Sequence, residues 1–137
     1  MKRPAPVNEE VFFDGRSLIS ETDTKGIITF VNRKFSEMSG YSKEEAIGQP
    51  HSLLRHPDMP KAAFEQMWKV IQEGKTWEGY VKNLRKDGKF YWVIVNIVPK
   101  IDEQGEIVGY IASRKVPDPV LLKSVKNQYE QMMQEER

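Results

Sequence analysis

Two long runs of strand-forming residues, Trp77 to Arg85 and Phe90 to Lys100, close on the dipeptide Asp87-Gly88. Asp-Gly between alternating aromatic and β-branched residues is the strongest short-range signal for a β-hairpin, because a two-residue I′ turn demands positive φ at both central positions. A ribbon of this length is not stable alone and has to bury one face against other elements. With Asp87 and Gly88 as the turn, the register pairs Arg85 with Phe90, Asn83 with Trp92, Val81 with Ile94, Gly79 with Asn96 and Trp77 with Val98. Those side chains share one face. It is apolar and aromatic except at Asn83, Asn96 and the Arg85 end, and it is expected to turn toward the helices.

Leu18 to Thr22 and Ile27 to Val31 are shorter strand runs separated by the turn-forming Asp23-Thr24-Lys25-Gly26, and Glu106 to Lys115 follows Asp102-Glu103-Gln104-Gly105 as a last strand. Between the two groups of strands the period changes. Asn32 caps a short helix to Met38, and Ser42 with Glu45 three residues on is a capping-box signature for a second helix ending near Gly48. Three prolines between Gln49 and Pro60 exclude a long helix there. Asp58 is then expected to cap a longer helix to Glu73, with Ala63, Phe64, Met67, Trp68 and Ile71 on one side and Gly74 as its stop. After Pro117, Asp118 is a cap candidate, Pro119 fits the first turn, and Leu121, Leu122, Val125, Tyr129 and Met132 or Met133 form an apolar stripe.

The expected fold class is α+β: a five-stranded antiparallel sheet with short helices on one face. Residues 1–16 read as a flexible lead that docks through Val11, Phe12 and Phe13, residues 17–116 as the folded sensor domain, and 117–137 as an output or dimerisation helix. A chain of 137 residues is enough for one such core.

Several function classes are disfavoured by composition. Lys and Arg number 21 against 20 Asp and Glu, so the electrostatic footprint of a nucleic-acid binder or a polybasic membrane-surface protein is missing. There is no cysteine, which removes disulfides, thiolate metal sites, cysteine nucleophiles and light sensing through a cysteinyl-flavin adduct. His51 and His56 lack a nearby acidic pair, so no metal site is expected. No triad pattern or phosphate-binding glycine loop points to an enzyme. No run approaches the roughly 18 apolar residues of a membrane span, so no direct membrane insertion by this segment is expected, and a cytoplasmic setting fits, alone or beside a membrane-bound receptor.

An amide in an apolar layer costs a few kcal/mol unless its groups find partners, so Asn83 and Asn96 on the inward face require an explanation. A heterocycle with alternating donors and acceptors supplies one, and Gly79 leaves space opposite Asn96. Water at the strand end and a neighbouring loop are the plainer alternative. Trp68, Trp77 and Trp92 are core residues or walls of a pocket for a planar group, with Trp77 favoured for stacking. In Arg55-His56-Pro57-Asp58-Met59-Pro60, Arg55 could hold a phosphate at a helix N-terminus while Asp58 caps the helix; the plainer reading is a cap and a surface charge.

The string Gly48-Gln49-Pro50-His51-Ser52-Leu53-Leu54-Arg55-His56-Pro57-Asp58-Met59-Pro60-Lys61-Ala62-Ala63-Phe64 resembles the PAS domain of bacterial aerotaxis receptors. The likeness extends through Asn32, Phe35, Ser39-Gly40-Tyr41, Met67-Trp68, Trp77, Gly79, Val81-Lys82-Asn83, Arg85-Lys86, Gly88, Tyr91-Trp92-Val93, Asn96, Pro99 and Gly109-Tyr110, roughly residues 18 to 115. The resemblance implies a PAS fold that holds FAD non-covalently between sheet and helices and reports respiratory redox state to the motility apparatus. It carries over Arg55, His56 and Asp58 as residues needed to retain FAD, and Asn32, Trp77, Asn83 and Asn96 as neighbours of the flavin; Trp68 and Trp92 complete the candidate site. Ile111 is read at the position where photosensory flavin domains carry a glutamine.

On this reading the partner is a chemoreceptor or transducer signalling domain, with PAS–PAS homodimerisation as a further expectation, and the cofactor supplies the redox chemistry while the protein supplies binding and electrostatics. Two rivals stay open: a cofactor-free dimerisation module, and a sensor of another small ligand or of haem with His51 or His56 on the iron.

Overall fold

The computed structural model describes residues 2–137. The chain runs β1 (Ile19–Thr22), β2 (Ile28–Val31), α1 (Arg33–Ser39), α2 (Lys43–Ala46), a 3-10 turn (His51–Leu54), α3 (Lys61–Gln72), β3 (Trp77–Leu84), β4 (Phe90–Ile101), β5 (Ile107–Lys115) and α4 (Pro119–Glu135). The strands form one antiparallel sheet in the order β2-β1-β5-β4-β3, the α+β arrangement expected. The segments between β2 and β3 lie over one face of this sheet. α4 flanks the other, with Leu122, Val125 and Tyr129 packed on the core.

Local chemistry sets most boundaries. Asn32 caps α1 by accepting from Phe35 N, Ser42 and Glu45 complete a capping box on α2, and the Asp118 carboxylate accepts from Val120 N and Leu121 N at the start of α4. α3 departs from expectation. Its N-cap is Pro60, not Asp58, because a proline pushes the residue before it out of the helical region and the helix cannot begin earlier. The orphan N–H groups of Lys61 and Ala62 instead donate to the Glu136 carboxylate at 2.9 and 3.0 Å, so the far end of α4 caps α3.

The β3–β4 register is shifted by one residue from the sequence expectation. Arg85 N donates to Lys89 O at 2.8 Å and Gly88 N to Arg85 O at 2.9 Å, which makes Lys86-Asp87-Gly88 a three-residue turn. A two-residue turn would force Asp87 to positive φ, whereas here only Gly88 takes that conformation, at +88°, without steric cost. The pairs become Trp77 with Ile97, Gly79 with Val95, Val81 with Val93 and Asn83 with Tyr91 on the inward face, and Glu78 with Asn96, Tyr80 with Ile94, Lys82 with Trp92 and Leu84 with Phe90 on the outward face. Since side chains alternate, a slip of one moves every β4 residue to the opposite side. Asn96 and Trp92 therefore face outward.

The N-terminal lead is tied to this hairpin by main-chain bonds as well as apolar contact. Val7 N donates to Gly88 O, Phe90 N to Glu9 O and Val11 N to Phe90 O, along the β4 edge beyond the end of β5. Phe13 is buried, and Val11 packs on the core, while Phe12 stays exposed. A Cβ at Gly88 would sit 2.5 Å from Ala5 O in addition to meeting the positive φ. Gly88→Ala is expected to destabilise the fold by about 1–3 kcal/mol in denaturant titration. A loss within ~0.5 kcal/mol would show that this turn does not set the register.

Candidate functional site

A cavity of about 270 Å³ lies between the inward sheet face and the α3 side of the molecule. β3 contributes Trp77, Val81 and Asn83, α3 contributes Phe64, Met67, Trp68 and Ile71, and the 3-10 segment contributes His51 and Arg55. β5 supplies Tyr110, Ala112 and Arg114, and β1 supplies Ser20 and Thr22. The wall is mainly apolar with a few convergent polar groups, the composition of a small-molecule site, and its size is close to the lower bound of about 300 Å³ for such sites.

Glycines position two tryptophans around it. A Cβ at Gly79 would stand 2.4 Å from the Trp77 ring, so the indole occupies the space that the sequence reading left for a ligand and lies along the sheet. Gly26, at φ +83° in the β1–β2 turn, lets the Trp68 ring approach to where a Cβ would be 2.9 Å away, and Trp68 meets Tyr110 edge-on at 5.8 Å. Both indoles line the cavity.

The polar groups form two clusters. In the first, Arg114 Nη1 donates to Ser20 Oγ at 2.8 Å and to Ala112 O at 3.1 Å, and Nη2 lies 2.9 Å from His51 Nε2. Ser20 Oγ is 3.0 Å from the same His51 nitrogen. A guanidinium can only donate, so His51 Nε2 must accept and the ring is neutral with its proton on Nδ1. Burial and then the Arg114 charge push His51 down to about 3. His51 is half-buried and lines the cavity. Arg114 itself is buried, and burial lowers it to about 10, leaving it charged at neutral pH.

The second cluster surrounds Asn83, which is 5% exposed and stands across the ladder from Tyr91. Burial pushes the Tyr91 phenol up to about 12. The Asn83 amide works against that, yet the contact does not reach hydrogen-bond geometry and Tyr91 Oη is left without a partner.

The residues of the Arg55-to-Pro60 segment divide. Arg55 lines the cavity with its guanidinium 4.4 Å over the Phe64 ring. Its main chain forms an isolated bridge to Asn83 and is not at a helix N-terminus. His56 is buried outside the lining; its Nδ1 accepts from Asp58 N at 3.0 Å, and its main-chain N–H donates to Lys82 O. Desolvation, then the Lys82 charge, lowers the His56 pKa against the pull of Asp58. The 3.7 Å separation from Nδ1 to Asp58 Oδ2 is thus a contact of a neutral ring and not an ion pair. Asp58 is exposed and bonds Lys82 Nζ at 2.9 Å. His56 and Asp58 pin the segment to β3 and so place Arg55.

Three other candidates lie elsewhere. Asn32 Oδ1 accepts from Phe35 N and Ile19 N while Nδ2 donates to Ser17 O, which joins β1 to α1. The register shift puts Trp92 under α4, stacked on Tyr129 at 6.2 Å, and Asn96 3.4 Å from the Glu78 carboxylate. Ile111 is also out of phase with Tyr110, Ala112 and Arg114 and does not line the cavity. Sequence reasoning missed Arg114 and Ser20. The available signal was a charged residue at the inward period-2 position of β5, two residues after Ala112.

The sequence profile of the PAS fold matches residues 16–113. The chain belongs to the PAS family. The aerotaxis receptor of Escherichia coli strain K12 is 50% identical to it over 101 residues, which are 74% of this chain and 20% of that receptor. The PAS domain therefore spans about a fifth of the length of the curated relatives it matches. A PAS domain of a protein from Colwellia psychrerythraea superposes with a TM-score of 0.63 at 31% identity, covering 74% of this chain and 86% of that one. The light-state structure of the blue-light photoreceptor Aureochrome1 LOV shares the fold, with a TM-score of 0.73 at 23% identity over 81% of this chain and 89% of that one. Among the described residues no helix is long and apolar enough to cross a membrane, and no cluster of His, Asp and Glu could hold a metal.

The His51 shift gives the PAS domain a pH signature. Its folded pKa, about 3, lies below the unfolded value near 6.5, so the unfolded chain takes the proton first and stability falls as pH drops below 6.5. Between pH 6.5 and 5 the unfolded state gains this proton while the carboxylates remain ionised. His51→Gln, which can still accept from Arg114, is expected to lose about 1.5 kcal/mol less stability than wild type across that interval in denaturant titrations. Equal losses would place the proton uptake elsewhere.

Proposed function

We propose that this PAS domain is a redox or oxygen sensor that binds FAD non-covalently and relays the state of the flavin to a chemoreceptor-type signalling partner, in the cytoplasm and without catalysing a reaction. The observation that carries this reading is the coincidence of the aerotaxis-receptor likeness with a cavity of ring dimensions. That cavity is walled by Trp68 and Trp77 and lined by Asn83, Arg55 and Arg114. A flavin supplies reversible electron uptake at a fused ring whose edge alternates hydrogen-bond donors and acceptors. Asn83 has both a donor and an acceptor to offer that edge, and the indoles give it apolar faces.

In this reading Arg55 holds an anionic or carbonyl group at the side of the cavity nearest the 3-10 turn, and His56 and Asp58 act by fixing Arg55 through their bonds to β3. Asn32 acts likewise at a distance, by joining β1 to α1. Trp92 and Asn96 belong to the outward face, where a change in the sheet reaches α4 and a partner. Relay through that face requires only that the two flavin states bias the sheet differently, not a large motion.

Purified protein incubated with FAD and freed of excess is expected to show a flavin spectrum that bleaches reversibly on anaerobic reduction, with intact FAD released on denaturation. Asn83→Ala should weaken FAD binding about tenfold, ~1.4 kcal/mol, in line with a lost buried hydrogen bond. A colourless protein after reconstitution would sink the proposal in favour of a cofactor-free interaction module, and a Soret band would favour haem.

A further inference from the structure

We infer that Arg114 is the residue that receives the negative charge of the cavity's ligand and, on the flavin reading above, on which this inference rests, the residue that sets how readily the bound ring accepts an electron. Arg114 is 5% exposed and, among the described residues, has no carboxylate within ion-pair distance. Lys34, Lys82, Arg85, Lys86 and Lys100 each pair with an Asp or Glu. Arg114 has the neutral acceptors Ser20 Oγ, Ala112 O and His51 Nε2 and the uncharged Phe35 ring 5.8 Å from Cζ, and its Nε is buried with no partner.

An unpaired buried charge is strongly unfavourable, so a fold keeps one where something else neutralises it. Here the cation lines the cavity between sheet and helices. It is also held rigidly. β5 is flanked by β1 and β4, and three hydrogen bonds fix the guanidinium in place before any ligand arrives. Uptake of one electron from an external donor, without a proton, adds one negative charge to a ring in this cavity. A fixed cation beside that charge favours the reduced form by more than tenfold at protein-like dielectric.

Replacing Arg114 should not break the surrounding network. Ser20 Oγ and His51 Nε2 already share a hydrogen bond at 3.0 Å, which does not depend on the guanidinium. This yields two opposite signatures. If Arg114 serves a ligand, Arg114→Met stabilises the flavin-free protein, whereas a merely structural arginine would destabilise it when removed.

The test compares wild type, Arg114→Met and Arg114→Lys, each first stripped of flavin and melted, then loaded with FAD and titrated with dithionite against a reference dye. Arg114→Met is expected to lower the unfolding constant of the flavin-free protein about tenfold. It should also lower the reduced-to-oxidised ratio at fixed potential about tenfold, ~59 mV for one electron. Arg114→Lys should keep that ratio within about twofold of wild type, since it retains the charge. A flavin-free Arg114→Met that is less stable than wild type, or a loaded one with an unchanged ratio, overturns the inference. Wild type that binds no flavin overturns the redox part together with the proposed function. The melting comparison still decides in that case whether Arg114 awaits an anion of another kind.

Discussion

Every assignment of inside and outside in the β3–β4 ribbon rests on the bond from Arg85 N to Lys89 O, which makes the turn three residues long. Gly88 absorbs the left-handed conformation that this geometry needs, and Asp87 secures the turn by accepting from Lys89 N and from the Arg85 side chain. With that register Asn83, Val81 and Trp77 meet Tyr91, Val93, Val95 and Ile97 on one side, and the next strand brings Ala112 opposite Ile97 and Arg114 opposite Val95. The cavity wall is therefore a consequence of one turn. A two-residue turn would have turned Trp92, Ile94 and Asn96 inward and buried the amide of Asn96 in place of Val95.

The inner face holds more polarity than stability alone would select. Ser20, His51, Asn83, Tyr91 and Arg114 gather where an ordinary core would place aliphatic side chains, and of their groups Tyr91 Oη and Arg114 Nε are unpartnered. The neutral His51 is part of the same economy. By accepting from Arg114 it orients the guanidinium, and the guanidinium in turn opposes protonation of the ring, so the cluster carries a single fixed positive charge. Such a cluster is poised by geometry and not by titration.

The strands, the short helices and the α+β plan were legible because each depends on local signals: period-2 runs, the Ser42–Glu45 capping box and the Asn32 and Asp118 caps. Of the candidate site residues, Arg55, Trp68, Trp77 and Asn83 line the cavity. β3 could be oriented from its own pattern, because Trp77 and Val81 alternate with the charged Glu78 and Lys82 whatever the register. β4 could not. Its two faces, Phe90-Trp92-Ile94 and Tyr91-Val93-Val95, are about equally apolar, so hydropathy does not tell a two-residue turn from a three-residue one. The Asp58 cap failed for a similarly non-local reason: the residue that caps α3 is Glu136, more than seventy positions away. Arg114 escaped notice because Arg114-Lys115 at a strand end reads as solvent-facing until Ser20 and His51 are brought beside Arg114.

α3 is the element shared by the cavity and the C-terminal helix. Phe64, Met67, Trp68 and Ile71 wall the cavity from its middle turns, while the N–H groups of its first turn are satisfied by the Glu136 carboxylate at the end of α4. α4 has a second attachment, through Tyr129, whose hydroxyl donates to Tyr80 O at 2.7 Å and whose ring stacks on Trp92. A displacement of α3 by a ligand would strain the first attachment, and a change in the β3–β4 ribbon would strain the second. Because the Pro60 side chain has no hydrogen-bond acceptor, release of Glu136 would leave the start of α3 to water. Both attachments of α4 thus fall on elements that also wall the cavity, α3 and the β3–β4 ribbon.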